Sequence, residues 1–456
     1  MSKAGRHLRT TICAGALLGC GGSGESATFG AEGSDCYPNG TCDQGLSCLS
    51  NLCVRVVLDG GASTDAPRFE GGSSTSDGAP TFPPASHPVL PQVATLGGPV
   101  LLTPKVQPIV YASDMAASEI DAFLKELTQT SYWSDTTAEY GVGKLTVLPT
   151  ITLATTAPAV TTDADLKSEL ATNTSGAKPV WGAADPNVIY LFVIPDGATV
   201  NIANSTCCSD FGGYHGEAPV GPITVPYAVG CSCPGFLGFT FTGLQVRTAA
   251  ISHELVEAVT DPFPFSNPAY QLEDRADIVW SVITGGEVAD MCAFNDDAYY
   301  IPSGSKYMVQ RSWSNAAAKL MQNPCVPHTT TAPYFNSFPA LGSIAIGDAA
   351  YLTRGVNIPL GQSKTIDVTL YSGGPTKNTW AVTAVDYDYW VRGGSPTLDL
   401  LLDKSEGRNG DTIHLTITPK KADPDINAEA FIIISHYGGV RDADYQTNLT
   451  MSLVSN

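Results

Sequence analysis

Four side chains able to handle protons or metal ions fall close together in the stretch Ser252–Pro262: His253, Glu254, Glu257 and Asp261. On a helix, His253 and Glu257 stand at i and i+4 on one face, with Glu254 about 100° round. That is the layout of a zinc helix, where two ligands point at the metal and a neighbouring glutamate manages the water. His253 is therefore read as a first metal ligand. Glu254 is read as a general base, taking a proton from metal-bound water as it attacks a carbonyl. The usual spacing is HExxH, and here Glu257 takes the place of the second histidine. A carboxylate there lowers the metal's Lewis acidity and also suits harder ions, so zinc is the expected cofactor and calcium the second candidate. The competing reading is a structural helix histidine beside solvated carboxylates.

A third ligand is sought downstream, in Gly285-Gly286-Glu287-Val288-Ala289-Asp290-Met291-Cys292. Glu287 is the leading candidate, with Asp290 orienting a ligand; the reverse assignment is also open. Asp261 stands eight residues after His253 and still faces roughly the same way, but Asp261-Pro262 equally reads as a helix stop. The chain has seven histidines, so His215 matters. It sits in a Gly-rich stretch read as a loop, as a metal ligand or as a donor to the oxyanion of a tetrahedral intermediate. Tyr227 could share the donor role. A structural loop histidine is the plain alternative.

The elements that must hold these residues are legible in the spacing. Val106–Tyr111 reads as a strand, and Ile120, Phe123, Leu124 and Leu127 predict an amphipathic helix over 117–130. Leu145–Leu153 alternates as a strand, and Asp163–Ala171 reads as a short helix. Val188–Ile194 is a continuous apolar run suited to a strand buried on both faces. Thr224–Val229 is strand-like but carries Pro226, which predicts a sheet edge. Gly243–Thr260 then predicts the metal-type helix, with Leu244, Ile251, Leu255 and Val259 as its buried stripe. Strand, helix, strand, helix, central strand, edge strand, metal helix is the order of the upper lobe of zincin metallopeptidases, whose edge strand pairs with an extended substrate. The fold expected for 91–330 is thus an α+β zincin-like domain. From 331 the period becomes two, as in Ile366, Val368 and Leu370 or Ile413, Leu415 and Ile417, which predicts an all-β, Ig-like sandwich over 331–456. His414 and His436 fall on strand patterns there and read as structural.

Ahead of residue 91 the reading concerns export. Lys3, Arg6 and Arg9 precede a short apolar run, and Leu17-Leu18-Gly19-Cys20 resembles a bacterial lipobox, so residues 1–20 read as a lipoprotein-type signal with membrane attachment through lipid on Cys20. Residues 21–90 form a Gly/Ser/Thr/Pro-rich tether around a small cysteine knot at 36–53. Twelve cysteines, less Cys13 and Cys20, leave an even set. Crosslinks are expected between Cys207/Cys208 and Cys231/Cys233, with a four-thiolate zinc site as the alternative, and Cys292 with Cys325 is a natural pair. No later stretch is long and apolar enough to span a membrane. A net charge of −20 argues against nucleic acid as a partner.

In these residues the chain resembles the phosphate-induced protein or exordium family of plants and its secreted bacterial relatives. The resemblance rests on Phe211-Gly212-Gly213-Tyr214-His215-Gly216, Val225–Val229 with nearby cysteines, Thr260-Asp261-Pro262 and the acidic segment at Cys292, over about 100–327. Bacterial relatives share the His-Glu helix and the Trp313-Ser314-Asn315 close; plant members, which lack the His-Glu pair, are wall or apoplast proteins linked to growth. The resemblance implies the fold and an extracellular location. The expected function is a lipid-anchored, monomeric, zinc-dependent metallopeptidase acting on polypeptide. The alternatives are a non-catalytic surface protein binding wall or matrix polymer, and a purely structural metal.

Overall fold

The computed structural model describes residues 47–49, 52–54, 82–236, 241–272, 274–328, 333–347, 351–392, 395–421, 428–438 and 445–455. Phe82–Asn456 belong to one unit and Cys13–Thr81 to another. In the latter, Ser47–Leu49 pairs antiparallel with Leu52–Val54, setting Cys48 opposite Cys53. The signal, Cys20 and the crosslinking of the 36–53 cluster lie outside the described residues.

The first half of the large unit is a mixed sheet between helices. Its strands are β1 (Lys105–Tyr111), β2 (Thr146–Val147), β3 (Ile151–Leu153), β4 (Val188–Ile194), β5 (Gly213–Val220) and β6 (Ile223–Cys231). They run β5-β6-β4-β1-β2, with β3 also on β1. All pairs are parallel except β5 with β6. β4 is apolar and buried at every position because helices cover both faces of the sheet. α1 (Ala117–Leu127) and α3 (Gly243–Thr260) share one face with Val106, Ile189 and Leu191. α2 (Asp163–Thr174) lies on the other with Ile109, Tyr190 and Phe192.

Two expectations are corrected here. Leu145–Leu153 is two short strands rather than one, interrupted at 148–150 where Pro149 has no N–H for a ladder. The Pro226 strand, β6, is internal and not an edge. It pairs with β4 only over Tyr227–Cys231, so Pro226 stands just outside that ladder and its missing donor costs nothing there. The sheet edge is β5.

α3 is the axis of this half. Thr242 and Gln245 form a reciprocal capping box at its start, worth about 1 kcal/mol. From Val246 to Thr260 every residue but Ala250 is buried. Gly230 lets it approach β6: a Cβ there would lie 2.4 Å from Ile251 Cγ1. Arg247, 2 % exposed, is held by Asp114 at 2.8 Å. Asp261 ends the helix, its N–H donating to the Glu257 carbonyl at 2.7 Å.

The second half is sandwich-like. β7 (Phe335–Pro339), β10 (Lys364–Ser372), β14 (Thr412–Pro419) and β12 (Leu398–Leu402) form one sheet in the order β7-β10-β14-β12. β8 (Gly342–Ile346), β9 (Tyr351–Asn357), β16 (Gln446–Ser455), β15 (Ala428–Tyr437), β11 (Trp380–Asp386) and β13 (Glu406–Gly407) form the other, in the order β8-β9-β16-β15-β11-β13. Phe335, Val368, Leu415, Trp380 and Phe431 fill the space between them. Alternation along β15 and β16 turns Ile432, Leu449 and Met451 the other way. There they join Val256 of α3, Met291 and Trp313 in one apolar cluster. The sandwich thus shares an apolar cluster with the helix that carries the His-Glu pair. His414 is on β14 beside Asp367 at 2.9 Å, and His436 is on β15. Among the described residues no helix is long and apolar enough to cross a membrane.

Candidate metal centre

Three segments converge on one buried acidic cluster. α3 contributes His253, Glu254 and Glu257. β5 contributes His215, which lies on the edge strand and not in a loop; its eight-residue pairing with β6 overrides a glycine-rich local sequence. His215 is opposite Ala228, whose side chain packs on the α3 face of the sheet. The third segment follows a turn at Gly285 and Gly286, both at positive φ (105° and 78°). It carries Glu287 and then Asp290, which opens a 3₁₀ turn ending at Cys292. The Cys292–Cys325 disulfide, Cα–Cα 5.7 Å, ties that turn down. Gly213 permits the close approach of β5 to α3, since a Cβ there would lie 2.9 Å from Glu254 Oε1 and 2.7 Å from the Val229 carbonyl.

Glu257 is the centre of the cluster. Its Oε2 lies 3.1 Å from His253 Nε2 and 3.6 Å from His215 Nδ1. Its Oε1 accepts the Asp290 N–H at 2.9 Å. Asp290 Oδ1 is 3.3 Å from His253 Nε2, and Glu287 Oε2 is 3.6 Å from His215 Nδ1. Glu254 lies between the two rings, 3.8 Å from His215 and 4.0 Å from His253. Within this cluster two groups have ligand atoms within 4.8 Å of one another: His253, Glu257 and Asp290, and His215, Glu257 and Glu287. Asp290, not the preferred Glu287, therefore stands with His253, and Glu287 stands with His215. Ligands about 2.1 Å from a tetrahedral ion are about 3.4 Å apart, which is the scale of these separations.

The orientation of His253 is fixed from behind. Its Nδ1 is 2.9 Å from Gln310 Oε1, while Gln310 Nε2 donates to the Ala289 carbonyl at 2.8 Å. The Gln310 N–H donates to Ser252 Oγ at 3.0 Å. That network assigns the amide oxygen to His253 and so the proton to Nδ1, leaving Nε2 to face the carboxylates. His253 Nε2 is buried with no hydrogen-bond partner. A histidine presenting one nitrogen to acids while the other donates to an acceptor is how imidazole is held as a ligand. On a zinc-binding reading of this cluster, replacing Gln310 by alanine is expected to weaken zinc binding about 10–100-fold, measured by competition with a chromophoric chelator.

Burial works against charge on both histidines. At His215 it is overcome by Glu287, Glu254 and Glu257, and at His253 by Glu257, Glu254 and Asp290, so both imidazoles are pushed well above their ordinary range. Burial also pushes Glu254 and Glu287 up. At Glu257 burial acts the same way, but the two histidines outweigh it and hold the carboxyl far below its usual value. The sign follows. Stability from the raised histidines and raised carboxyls is complete at low pH and lost as pH rises through their folded values. That from Glu257 is present above the ordinary carboxyl value of 4.5 and lost only in strong acid. The metal-free chain should therefore be less stable at a pH above the ordinary histidine value of 6.5 than at one below it, and a cation should restore it. Urea titrations with and without zinc at both pH values measure this; a metal-free chain as stable at the higher pH contradicts the assignment.

Two sequence candidates stand elsewhere. Tyr227 is not at the site: alternation on β6 turns it to the α2 face, where its hydroxyl donates to Asp163 alongside that of Tyr214. It cannot serve as oxyanion donor at the cluster. Asp261 is not a ligand in this arrangement. It accepts from the Ala269 N–H at 2.8 Å and from Gln271 at 2.9 Å, and Gln271 reaches on to Glu287 at 3.4 Å. Gln310 and Gln271 are the positioning residues that spacing did not single out; amides carry no motif of their own. The Cys207–Cys231 and Cys208–Cys233 disulfides occupy the thiols of the alternative zinc site.

No protein-family model and no curated protein matches the sequence. Among solved structures, the chain is similar to domains 4 and 5 of the S-layer protein SbsC at 19% identity, over 26% of this chain and 46% of that one, with a TM-score of 0.16. The match thus spans about half the length of that structure. A likeness of that degree carries no argument about fold or function.

Proposed function

We propose that the chain is a metal-dependent hydrolase of the metallopeptidase type, with zinc as the cation and Glu254 as general base. The observation that carries this reading is buried His253 Nε2, set 3.1 Å from Glu257 and 3.3 Å from Asp290 while Nδ1 is held by Gln310. Among the described residues, the ion pairs of Glu254, Glu257 and Glu287 are with histidines alone. Four carboxyls meet two imidazoles there, and without a cation the cluster avoids excess negative charge only by retaining protons on the histidines, Glu254 and Glu287.

In this reading His253, Glu257 and Asp290 hold the ion, which supplies Lewis acidity toward a carbonyl and toward water. Glu254 accepts the proton of the attacking water and returns it to the leaving amine. Burial raises its pKa, which brings a carboxylate base closer to neutral pH. Glu287, with its side chain 15 % exposed, lies on the more open side of the cluster, whereas Asp290 is 2 % exposed. β5 is an edge strand next to the cluster, so an extended peptide added to it would pass the base. That arrangement supports a zincin-like reading of this half. The likeness to the exordium family, export, and a lipid on Cys20 belong to the same proposal.

The test is cleavage by the whole chain, stripped with chelator and reloaded with zinc, of a mixed peptide library read by mass spectrometry. New termini that appear only with zinc support the proposal. Bound zinc without cleavage favours instead a non-catalytic protein, in line with the lower Lewis acidity that Glu257 confers.

A further inference from the structure

The cluster holds more ligand than one cation needs. Its two histidines fall in different groups, His253 with Asp290 and His215 with Glu287, and the member common to both is Glu257. The rings do not approach a common point from adjacent positions. They come from α3 on one side and β5 on the other, and each meets the same oxygen, Glu257 Oε2. Oε1 is taken by the Asp290 N–H, which fixes the carboxylate plane and leaves Oε2 for the two rings.

His215 supplies an independent observation. Its side chain is 5 % exposed, its Nε2 has no hydrogen-bond partner, and its Nδ1 faces three carboxylates at 3.6–3.8 Å. Those separations are beyond a good hydrogen bond. They match the spacing between two ligands of one ion. A buried imidazole whose Nδ1 faces three carboxylates beyond good hydrogen-bond range is better satisfied by an ion held between them and that nitrogen. A lone cation at His253 would leave His215 and Glu287 unexplained.

We infer that the centre takes two divalent cations, the second held by His215, Glu257 and Glu287, with Glu257 shared between them. One nitrogen and two carboxylates per ion suit zinc, manganese or cobalt better than a soft metal. Paired ions of this kind clamp the attacking and leaving oxygens of a displacement. The His215 site is the outer one, because Glu287 is more exposed than Asp290, so it fills second and more weakly. This inference rests on the metal reading of the His253 site proposed above.

Manganese titration of the chelator-stripped whole chain tests it, with bound ion counted by calorimetry and elemental analysis and the pair detected by electron paramagnetic resonance. Two equivalents are expected, the second weaker, with the coupled multiline signal of neighbouring ions. His215→Gln should drop the count to one and abolish the coupled signal, leaving the tighter equivalent unchanged. Glu287→Gln gives the same reading should the histidine variant not fold. One equivalent in the parent chain, unaltered by either substitution, overturns the second site and leaves the first standing. Two equivalents retained in both variants also overturn it, and none at all overturns both sites.

Discussion

Glu254→Gln is expected to leave the zinc content of the chain unchanged and to lower kcat/KM on a cleavable peptide by about 10³-fold. General-base removal typically costs 10²–10⁴. Glutamine keeps the volume and one acceptor but cannot take the water's proton. Glu254 lies 3.8 Å and 4.0 Å from the two histidines and is in neither ligand group, so stoichiometry should not move. A variant that retains activity would remove Glu254 from the chemistry, and one that loses zinc in parallel would make it a ligand. Gly213 is tied to the same outcome. Its missing Cβ gives Glu254 room, and a shift of about 1 Å in a reacting group can cost about 100-fold.

Glu257→Ala is expected to have the largest effect on both binding and stability. One oxygen of Glu257 faces both imidazoles and the other accepts a backbone N–H. The side chain is 2 % exposed. Removing it leaves two buried imidazoles short of a partner and an orphaned donor on Asp290. Breaking a buried charge network in this way costs about 3–5 kcal/mol. Urea unfolding of the metal-free chain, parent against variant, measures the stability loss, and zinc analysis should show that neither ion is retained. A change under about 0.5 kcal/mol would place Glu257 among ordinary helix carboxylates.

Much of this centre was legible because helices announce themselves. The limits of α3 follow from the apolar spacing and Asp261-Pro262, and the i, i+4 placement of His253 and Glu257 follows from those limits. The cysteine pairs 207/208 with 231/233 and 292 with 325 were readable from proximity and parity.

The strands were harder. Gly213–Val220 has two glycines and a proline, and only pairing with β6 makes it a strand. Without that pairing no local signal puts His215 opposite Ala228. The same alternation sends Tyr227 away, since one residue along a strand exchanges faces. Pro226 misled for a related reason: a proline forbids a ladder bond on one side only, and the ladder between β4 and β6 begins one residue later, at Tyr227. The Asp290 position depends on a turn built from two positive-φ glycines, whose direction no spacing rule supplies. In the sandwich, Ile366–Leu370, Leu398–Leu402 and Ile413–Ile417 were visible as alternation, whereas Gly342–Ile346 and Tyr351–Asn357 lack a clean two-residue period.

The central claim is that His253, Glu257 and Asp290 enclose a cation. Diffraction from crystals of the whole chain grown with zinc, collected on either side of the zinc absorption edge, addresses it directly. An anomalous peak is expected about 2 Å from His253 Nε2 and in contact with Glu257 and Asp290. An intact cluster with His253 Nε2 against Glu257 and no anomalous density would contradict it.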